Sequence, residues 1–174
     1  MTTAVTEAES WLLDFLRMDF APVDERAGWA HASLPSLLLA RGRLFTPAAW
    51  PGGGGPPGEP GGCFIESVSW AWAAPRGTLA YVEGCALTRP IPEPHAWCAA
   101  VAGTGSAIDL TWRRPGLAYL GLPVDAEYAV RMMKETAGPL LHDSSGRISA
   151  LAREWMRHGV PAGVLVDTGG RLPG

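Results

Sequence analysis

The chain has 174 residues, of which 47% are hydrophobic and 18% are charged, and its net charge is −3. This composition supports a folded core and excludes a disordered chain, and the length favours a single domain over residues 1–174. Without a basic face or a run of about 18–20 apolar residues, we expect no nucleic-acid partner and no membrane span. The sequence contains no asparagine and no glutamine, which excludes any mechanism that needs a side-chain carboxamide.

The first predicted elements are two helices. Residues 6–20 carry an apolar stripe and a capping box that begins at Thr6, and Pro22 is expected to end this helix. Residues 33–44 form the second helix, with Ser33 as its N-cap.

A loop rich in glycine and proline follows. Every residue from Pro51 to Gly62 is one of these two types except Glu59, so no regular element survives there. The loop leads into a helix predicted over residues 63–74. Two interpretations stay open: a flexible surface linker, or a segment that leaves the backbone amides of the helix N-terminus uncrowded.

The rest of the chain changes from a helical to an alternating pattern and back again. Residues 78–87, 94–101 and 106–112 are predicted to be three strands of an antiparallel meander. Two helices are predicted at 125–136 and 145–158, a last short strand at 163–167 and a frayed tail at 169–174. Helices segregated from a small antiparallel sheet define an α+β fold.

The cysteines are Cys63, Cys85 and Cys98, an odd number in a chain whose first ten residues lack the basic segment of a signal peptide. We therefore expect reduced thiols and a cytoplasmic protein. These cysteines and His95 could supply four zinc ligands, but no C-x₂-C or H-x₃-H spacing occurs. We expect no metal, and we interpret Cys85 and Cys98 as buried thiols.

Three residues on separate predicted elements have the character of a nucleophile, a base and an orienting group. Cys63 begins the central helix, whose unpaired amides and dipole stabilise a thiolate. His95 and Asp109 have the spacing of residues on two adjacent antiparallel strands, which face each other across about 5 Å. Alone, each has an ordinary interpretation, as a buried thiol, a packed imidazole or an edge-strand carboxylate. Together they fit nucleophilic catalysis.

The motifs around these residues resemble the transglutaminase-like branch of the papain-like cysteine enzymes, and also small bacterial proteins with a similar series. After the cysteine at a helix start, they are Tyr81-Val-Glu-Gly84, His95-Ala-Trp97 and Asp109-Leu-Thr-Trp112. The resemblance implies Cys63 as nucleophile, His95 as general base and acid, and Asp109 as the group that orients His95. It also implies a nucleophile helix packed on a small antiparallel sheet. The core would lie at about residues 60–125, with helical additions at 6–44 and 125–158.

The missing carboxamides separate this chain from papains, in which the orienting residue is asparagine and a glutamine lines the oxyanion hole. His95 follows Cys63 by 32 positions, a short spacing for the family, so the core is minimal. The oxyanion donors would be the Cys63 N–H and a group that is not an amide, for which Trp50 is a candidate. Trp97 and Trp112 are expected to wall the cleft and exclude water.

Two glutamates near these motifs have two interpretations each. Glu66 lies three residues after Cys63, at capping-box spacing, and is interpreted as a helix cap. Glu83 lies in an otherwise apolar strand and is either solvated or aimed at the site. We favour the second interpretation, in which Glu83 contacts a substrate amine or tunes the triad.

The favoured function is acyl-enzyme chemistry by a cysteine on an amide or thioester of a peptide or small molecule, ending in hydrolysis or in transfer to an amine. We expect no cofactor, and the residues leave the oligomeric state open. The alternative is a binding or accessory module that retains the fold without catalysis. The rate at which iodoacetamide alkylates Cys63, compared with Cys85 and Cys98, separates the two.

Overall fold

The computed structural model describes residues 4–18 and 26–174. Within them the chain is mixed α+β, as the sequence predicts, with five helices and one five-stranded sheet. The elements in chain order are α1 (Glu7–Arg17), α2 (Leu34–Arg41), β1 (Arg43–Pro47), α3 (Cys63–Ala73), β2 (Leu79–Leu87), β3 (Glu93–Ala100), β4 (Ser106–Ala107), β5 (Ala118–Val124), α4 (Ala126–Thr136) and α5 (Ala150–His158).

The sheet is curled and mixed, so the predicted antiparallel meander is wrong. Its strand order is β3-β2-β5-β1-β4, with β4 parallel to β1 and the other pairs antiparallel. One backbone bridge between Cys98 and Ile108 connects the two end strands. The curled sheet therefore has an inner face, on which Phe45, Trp97 and Tyr119 pack together, and an outer face covered by the helices.

The sequence analysis misses two strands, β1 and β5. The second helix ends at Arg41 rather than at residue 44 because the chain becomes extended at Gly42, where a Cβ would lie 2.4 Å from the Leu38 carbonyl oxygen. β1 then begins at once. β5 escapes prediction because all seven of its residues are buried, so it lacks the alternation that marks a half-exposed strand.

Two predicted strands are shorter than expected. The segment 106–112 holds only the two residues of β4 and the bridge at Ile108. The segment 163–167 is reduced to one bridge, between Leu165 and Val124. The tail does not fray, because Arg171 forms a backbone bridge with Leu44.

The predicted helix starts are confirmed at the capping box of Thr6 and at the N-cap Ser33, and Asp125 caps α4 at the start of the predicted segment 125–136. The predicted end of the first helix, including Pro22, lies outside the described residues. The last helix begins at Ala150 rather than at residue 145, because the Asp143 carboxylate first holds a turn by accepting nearby backbone N–H groups. In the described part of the chain, no helix combines the length and apolarity that crossing a bilayer requires.

Candidate active site

The glycine- and proline-rich loop runs against the segment that carries Asp109. The Gly58 N–H donates to the Leu110 carbonyl oxygen at 2.7 Å. A Cβ at Gly58 would lie 2.6 Å from that oxygen, so a glycine is required for this close approach. The loop is therefore held at the site, which favours the second of its two interpretations over a free linker. It delivers the chain to Cys63.

Cys63 occupies the first position of α3 and is buried. The N-cap is Gly62, which offers no side chain to the helix amides. Glu66 then lies one position too far along for a capping box, so its interpretation as a helix cap is wrong. The first-turn N–H groups are left uncapped beside the Cys63 sulfur, where they can bind developing negative charge.

His95 and Asp109 form a buried pair. His95 lies near the start of β3, and Asp109 follows the bridge at Ile108 that joins this strand to its neighbour. The His95 Nε2 lies 2.8 Å from the Asp109 Oδ2, and both side chains are at least 97% buried. The predicted hairpin is thus reduced to a single bridge, yet it still brings base and carboxylate together.

The pKa values of His95 and Asp109 indicate which atom of the pair holds the shared proton. Burial acts to raise the pKa of Asp109, but the hydrogen bond and charge of His95, together with nearby backbone N–H groups, lower it overall. Asp109 is therefore a carboxylate that can only accept, and the His95 Nε2 carries the shared proton. Burial acts to lower the pKa of His95, but hydrogen bonds and charge from Asp109 and Cys63 outweigh burial and raise it to about 9.

Cys63 lies close enough to His95 to act on its imidazole and raise its pKa. Since Nε2 is bound to Asp109, Nδ1 is the nitrogen left for the thiol. The structure thus brings Cys63, His95 and Asp109 together in the order thiol, imidazole and carboxylate.

Asp109 is held by further donors. Its Oδ1 accepts from the backbone N–H groups of Thr111 and Trp112, both at 3.0 Å, and from the Thr111 hydroxyl at 3.3 Å. Its Oδ2 accepts from the Tyr119 hydroxyl at 3.0 Å as well as from His95. Sequence reasoning misses Tyr119 because it lies on the unpredicted strand β5. The only signal is a tyrosine in a buried apolar run, where its hydroxyl needs a partner.

The two predicted wall tryptophans both lie beside the imidazole. The half-buried Trp112 stacks on His95 with ring centroids 3.7 Å apart and an interplanar angle of 12°. Trp97 is fully buried, and its centroid lies 6.3 Å from that of His95. Gly84 pairs with His95 on one side and with Gly121 on the other, so the two strands next to His95 place no side chain beside the imidazole in this row. A Cβ at Gly121 would lie 2.7 Å from the Trp97 ring.

Glu83 is not brought to this cluster, which corrects the interpretation that it faces the site. His95 pairs with the residue after Glu83, so Glu83 points to the outer face. There its carboxylate accepts from the Tyr81 hydroxyl at 2.7 Å and from the N–H groups of Leu140 and Leu141 at 2.8 Å. Burial raises the pKa of Glu83 to about 7, although these hydrogen bonds act to lower it. Glu83 anchors the segment after α4.

Trp50 is not brought to the cluster either. Its ring packs edge-on against Trp70, with centroids 5.5 Å apart. Trp70 lies two helical turns after Cys63, which is roughly 10 Å along the axis of α3. This packing favours Trp50 as a partner of Trp70 over its interpretation as an oxyanion donor.

No protein-family model, curated protein or solved structure matches this chain. Among the described residues, no three histidine, cysteine or acidic side chains are grouped so that they could hold a metal ion. Cys98 donates its thiol to the Ser67 carbonyl oxygen at 3.2 Å, and burial raises the pKa of both Cys85 and Cys98 to about 12.

Proposed function

We propose that this protein is a cysteine enzyme that forms an acyl-enzyme on Cys63, as the resemblance to the transglutaminase-like branch implies. The observation that supports this most strongly is the buried hydrogen bond between His95 and Asp109, with Cys63 close enough to act on the His95 imidazole. A thiol at a helix N-terminus beside an imidazole held by a carboxylate has the arrangement that nucleophilic catalysis needs.

The reaction begins with the Cys63 thiolate and the His95 imidazolium. The sulfur attacks the carbonyl carbon of an amide or thioester, and the carbonyl π electrons move to oxygen, next to the first-turn amides of α3. As the C–N or C–S bond breaks, His95 gives its Nδ1 proton to the leaving nitrogen or sulfur. The product of this half-reaction is a thioester between the acyl group and Cys63.

The second half-reaction returns the enzyme to its starting state. Water or an amine attacks the thioester carbonyl while the neutral His95 Nδ1 takes its proton. The tetrahedral species then expels the Cys63 thiolate and releases an acid or an amide. Asp109 keeps the Nε2 proton in place throughout, which fixes the tautomer that can act as a base. A peptide or a small molecule is the proposed acyl donor.

Alkylation by iodoacetamide tests whether Cys63 is activated. We expect Cys63 to react at least about tenfold faster at pH 7 than Cys85 or Cys98, whose buried thiols stay protonated there. Peptide mass mapping of the three sites measures the three rates in one sample. Equal rates would contradict an activated thiolate and favour a binding module that retains the fold.

An activated ester tests whether the thiolate forms an acyl-enzyme. After mixing with p-nitrophenyl acetate, we expect an acetyl adduct in the intact mass of the wild-type protein and of Cys85→Ala, and no adduct in Cys63→Ala. Cys85→Ala is the matched control because it removes a thiol of the same kind from the outer face. An adduct that survives Cys63→Ala would place the nucleophile elsewhere.

A further inference from the structure

Tyr119 is a buried residue of the site that the acyl-enzyme steps above do not use. It lies on β5, on the inner face, and its side chain is fully buried. Its hydroxyl oxygen accepts from the Gly116 N–H at 2.7 Å, and its proton is donated to the Asp109 Oδ2 at 3.0 Å. That oxygen is the one bound by the His95 Nε2. The Gly116 contact therefore aims the hydroxyl proton at the atom that orients the imidazole.

We propose that Tyr119 is a positioning residue for the reaction, which shares the Asp109 Oδ2 with His95 and so sets the direction and strength of the bond between Asp109 and His95. The inference rests on the proposed function for its catalytic meaning. The Tyr119 ring lies with its centroid 6.3 Å from that of His95, and its hydroxyl acts on the imidazole through Asp109.

The geometry supports this role because Asp109 is saturated with donors. Three donors meet Oδ1 and two meet Oδ2. An asparagine here would turn its own N–H groups toward one of those sets, since a carboxamide accepts on one side only. The five donors therefore require a carboxylate, in agreement with a chain that contains no asparagine.

Two donors on one oxygen compete for the same negative charge. The Tyr119 hydroxyl satisfies part of the charge on Oδ2, which moderates the pull of Asp109 on the His95 proton. Without that hydroxyl, the carboxylate would hold the imidazolium more strongly. A base that must release its proton to a leaving group benefits from this moderation, because proton transfer is most effective when the base is not held too strongly in its charged form.

The titratable groups around His95 are few. Cys63 faces it from α3, Asp109 from the segment after β4, and Tyr119 from β5. Tyr81, Glu83, Cys85 and Cys98 belong to the outer face of the same strands, and of these Tyr81 also interacts with Cys63. A change at the Tyr119 hydroxyl therefore reaches His95 through Asp109.

The test compares Tyr119→Phe with Tyr81→Phe. Both substitutions delete the hydroxyl of a fully buried tyrosine that donates to a carboxylate, but Tyr81 serves Glu83 on the outer face. The readout is the titration of His95 followed by NMR, with its signal assigned by its absence in His95→Ala. We expect the pKa of His95 to rise by about half a unit to one unit in Tyr119→Phe and to stay unchanged in Tyr81→Phe.

An unchanged or lowered pKa of His95 in a folded Tyr119→Phe, or an equal rise in Tyr81→Phe, would overturn the proposal. If Tyr119→Phe does not fold, 3-fluorotyrosine incorporated into the Tyr81→Phe protein keeps the ring and strengthens the hydroxyl as a donor. It should lower the pKa of His95, and no change would overturn the proposal. The titration needs no substrate, so a Cys63 that fails to alkylate would contradict the proposed function and leave the Tyr119 result standing.

Discussion

Two buried tyrosine–carboxylate pairs lie on opposite faces of the curled sheet. On the inner face Tyr119 donates to Asp109 at 3.0 Å, and on the outer face Tyr81 donates to Glu83 at 2.7 Å. Both carboxylates also accept backbone N–H groups, and both are buried. The two pairs therefore have nearly the same hydrogen-bonding chemistry.

The pairs differ in one partner. Asp109 faces the His95 imidazole, which carries a positive charge and lowers the pKa of the carboxyl despite its burial. Glu83 faces only neutral donors, so burial dominates and raises its pKa to about 7. A buried carboxylate beside a cation is suited to catalysis, whereas one among neutral donors fastens one segment of the chain to another.

The largest expected effect comes from removing the charge at each carboxylate in turn. Asp109→Asn should slow alkylation of Cys63 by iodoacetamide at pH 7 by roughly 10²-fold or more, because His95 loses the acceptor that fixes its tautomer and charge. Glu83→Gln is the matched control and should change that rate by less than about threefold, because it acts on the other face. Thermal melts of both variants separate lost reactivity from lost structure.

An Asp109→Asn protein that melts like the wild type and alkylates at the wild-type rate would contradict the distinction between the two faces. So would a Glu83→Gln protein whose rate falls as far as that of Asp109→Asn. In either case the bond between His95 and Asp109 would not be what activates the thiol.

A smaller effect is expected in the dependence of stability on pH. The pKa of Glu83 rises from the usual 4.5 to about 7 in the folded state, so the folded protein binds more protons than the unfolded chain between these values. The free energy of unfolding should therefore fall as pH rises from about 4.5 to 7, by up to about 3 kcal/mol. Glu83→Gln should remove this fall, as measured by urea denaturation across that range.

His95 and Asp109 contribute to the free energy of unfolding in other ranges of pH than Glu83 does. The pKa of His95 rises from 6.5 to about 9 on folding, so its contribution is complete below pH 6.5 and is lost as pH rises through 9. The lowered pKa of Asp109 contributes stability above its usual value of 3.8, and that contribution is lost as pH falls below it.

The prediction for Glu83 has a direct contradiction. If the free energy of unfolding of Glu83→Gln still falls between pH 4.5 and 7, then Glu83 is not the source of that fall.

The sequence is sufficient to single out Cys63, His95 and Asp109, which the structure brings into one cluster. A helix N-terminus after a glycine loop and a short hairpin are local features, and both can be recognised from spacing and residue type. The face on which Glu83 lies depends on the register between β2 and β3, since a shift of one residue reverses it. Tyr119 depends on pairing between strands distant in sequence, which local patterns do not encode.

The smallest expected effect concerns Trp50, which precedes the 12-residue irregular loop, so the sequence does not determine where its indole lies relative to Cys63. Its indole contacts Trp70 rather than the start of α3. Trp50→Phe should therefore leave alkylation and acetylation of Cys63 within about twofold of the wild type, because the oxyanion would be bound by backbone amides alone. Trp112→Phe is the comparison, because it replaces the indole that stacks on His95 by a smaller ring and should slow both reactions severalfold.

A tenfold loss of acetylation in Trp50→Phe, at an unchanged melting temperature, would show that the indole reaches the oxyanion after all. In that case the Trp50 side chain, and not only the backbone amides of α3, would bind the oxyanion.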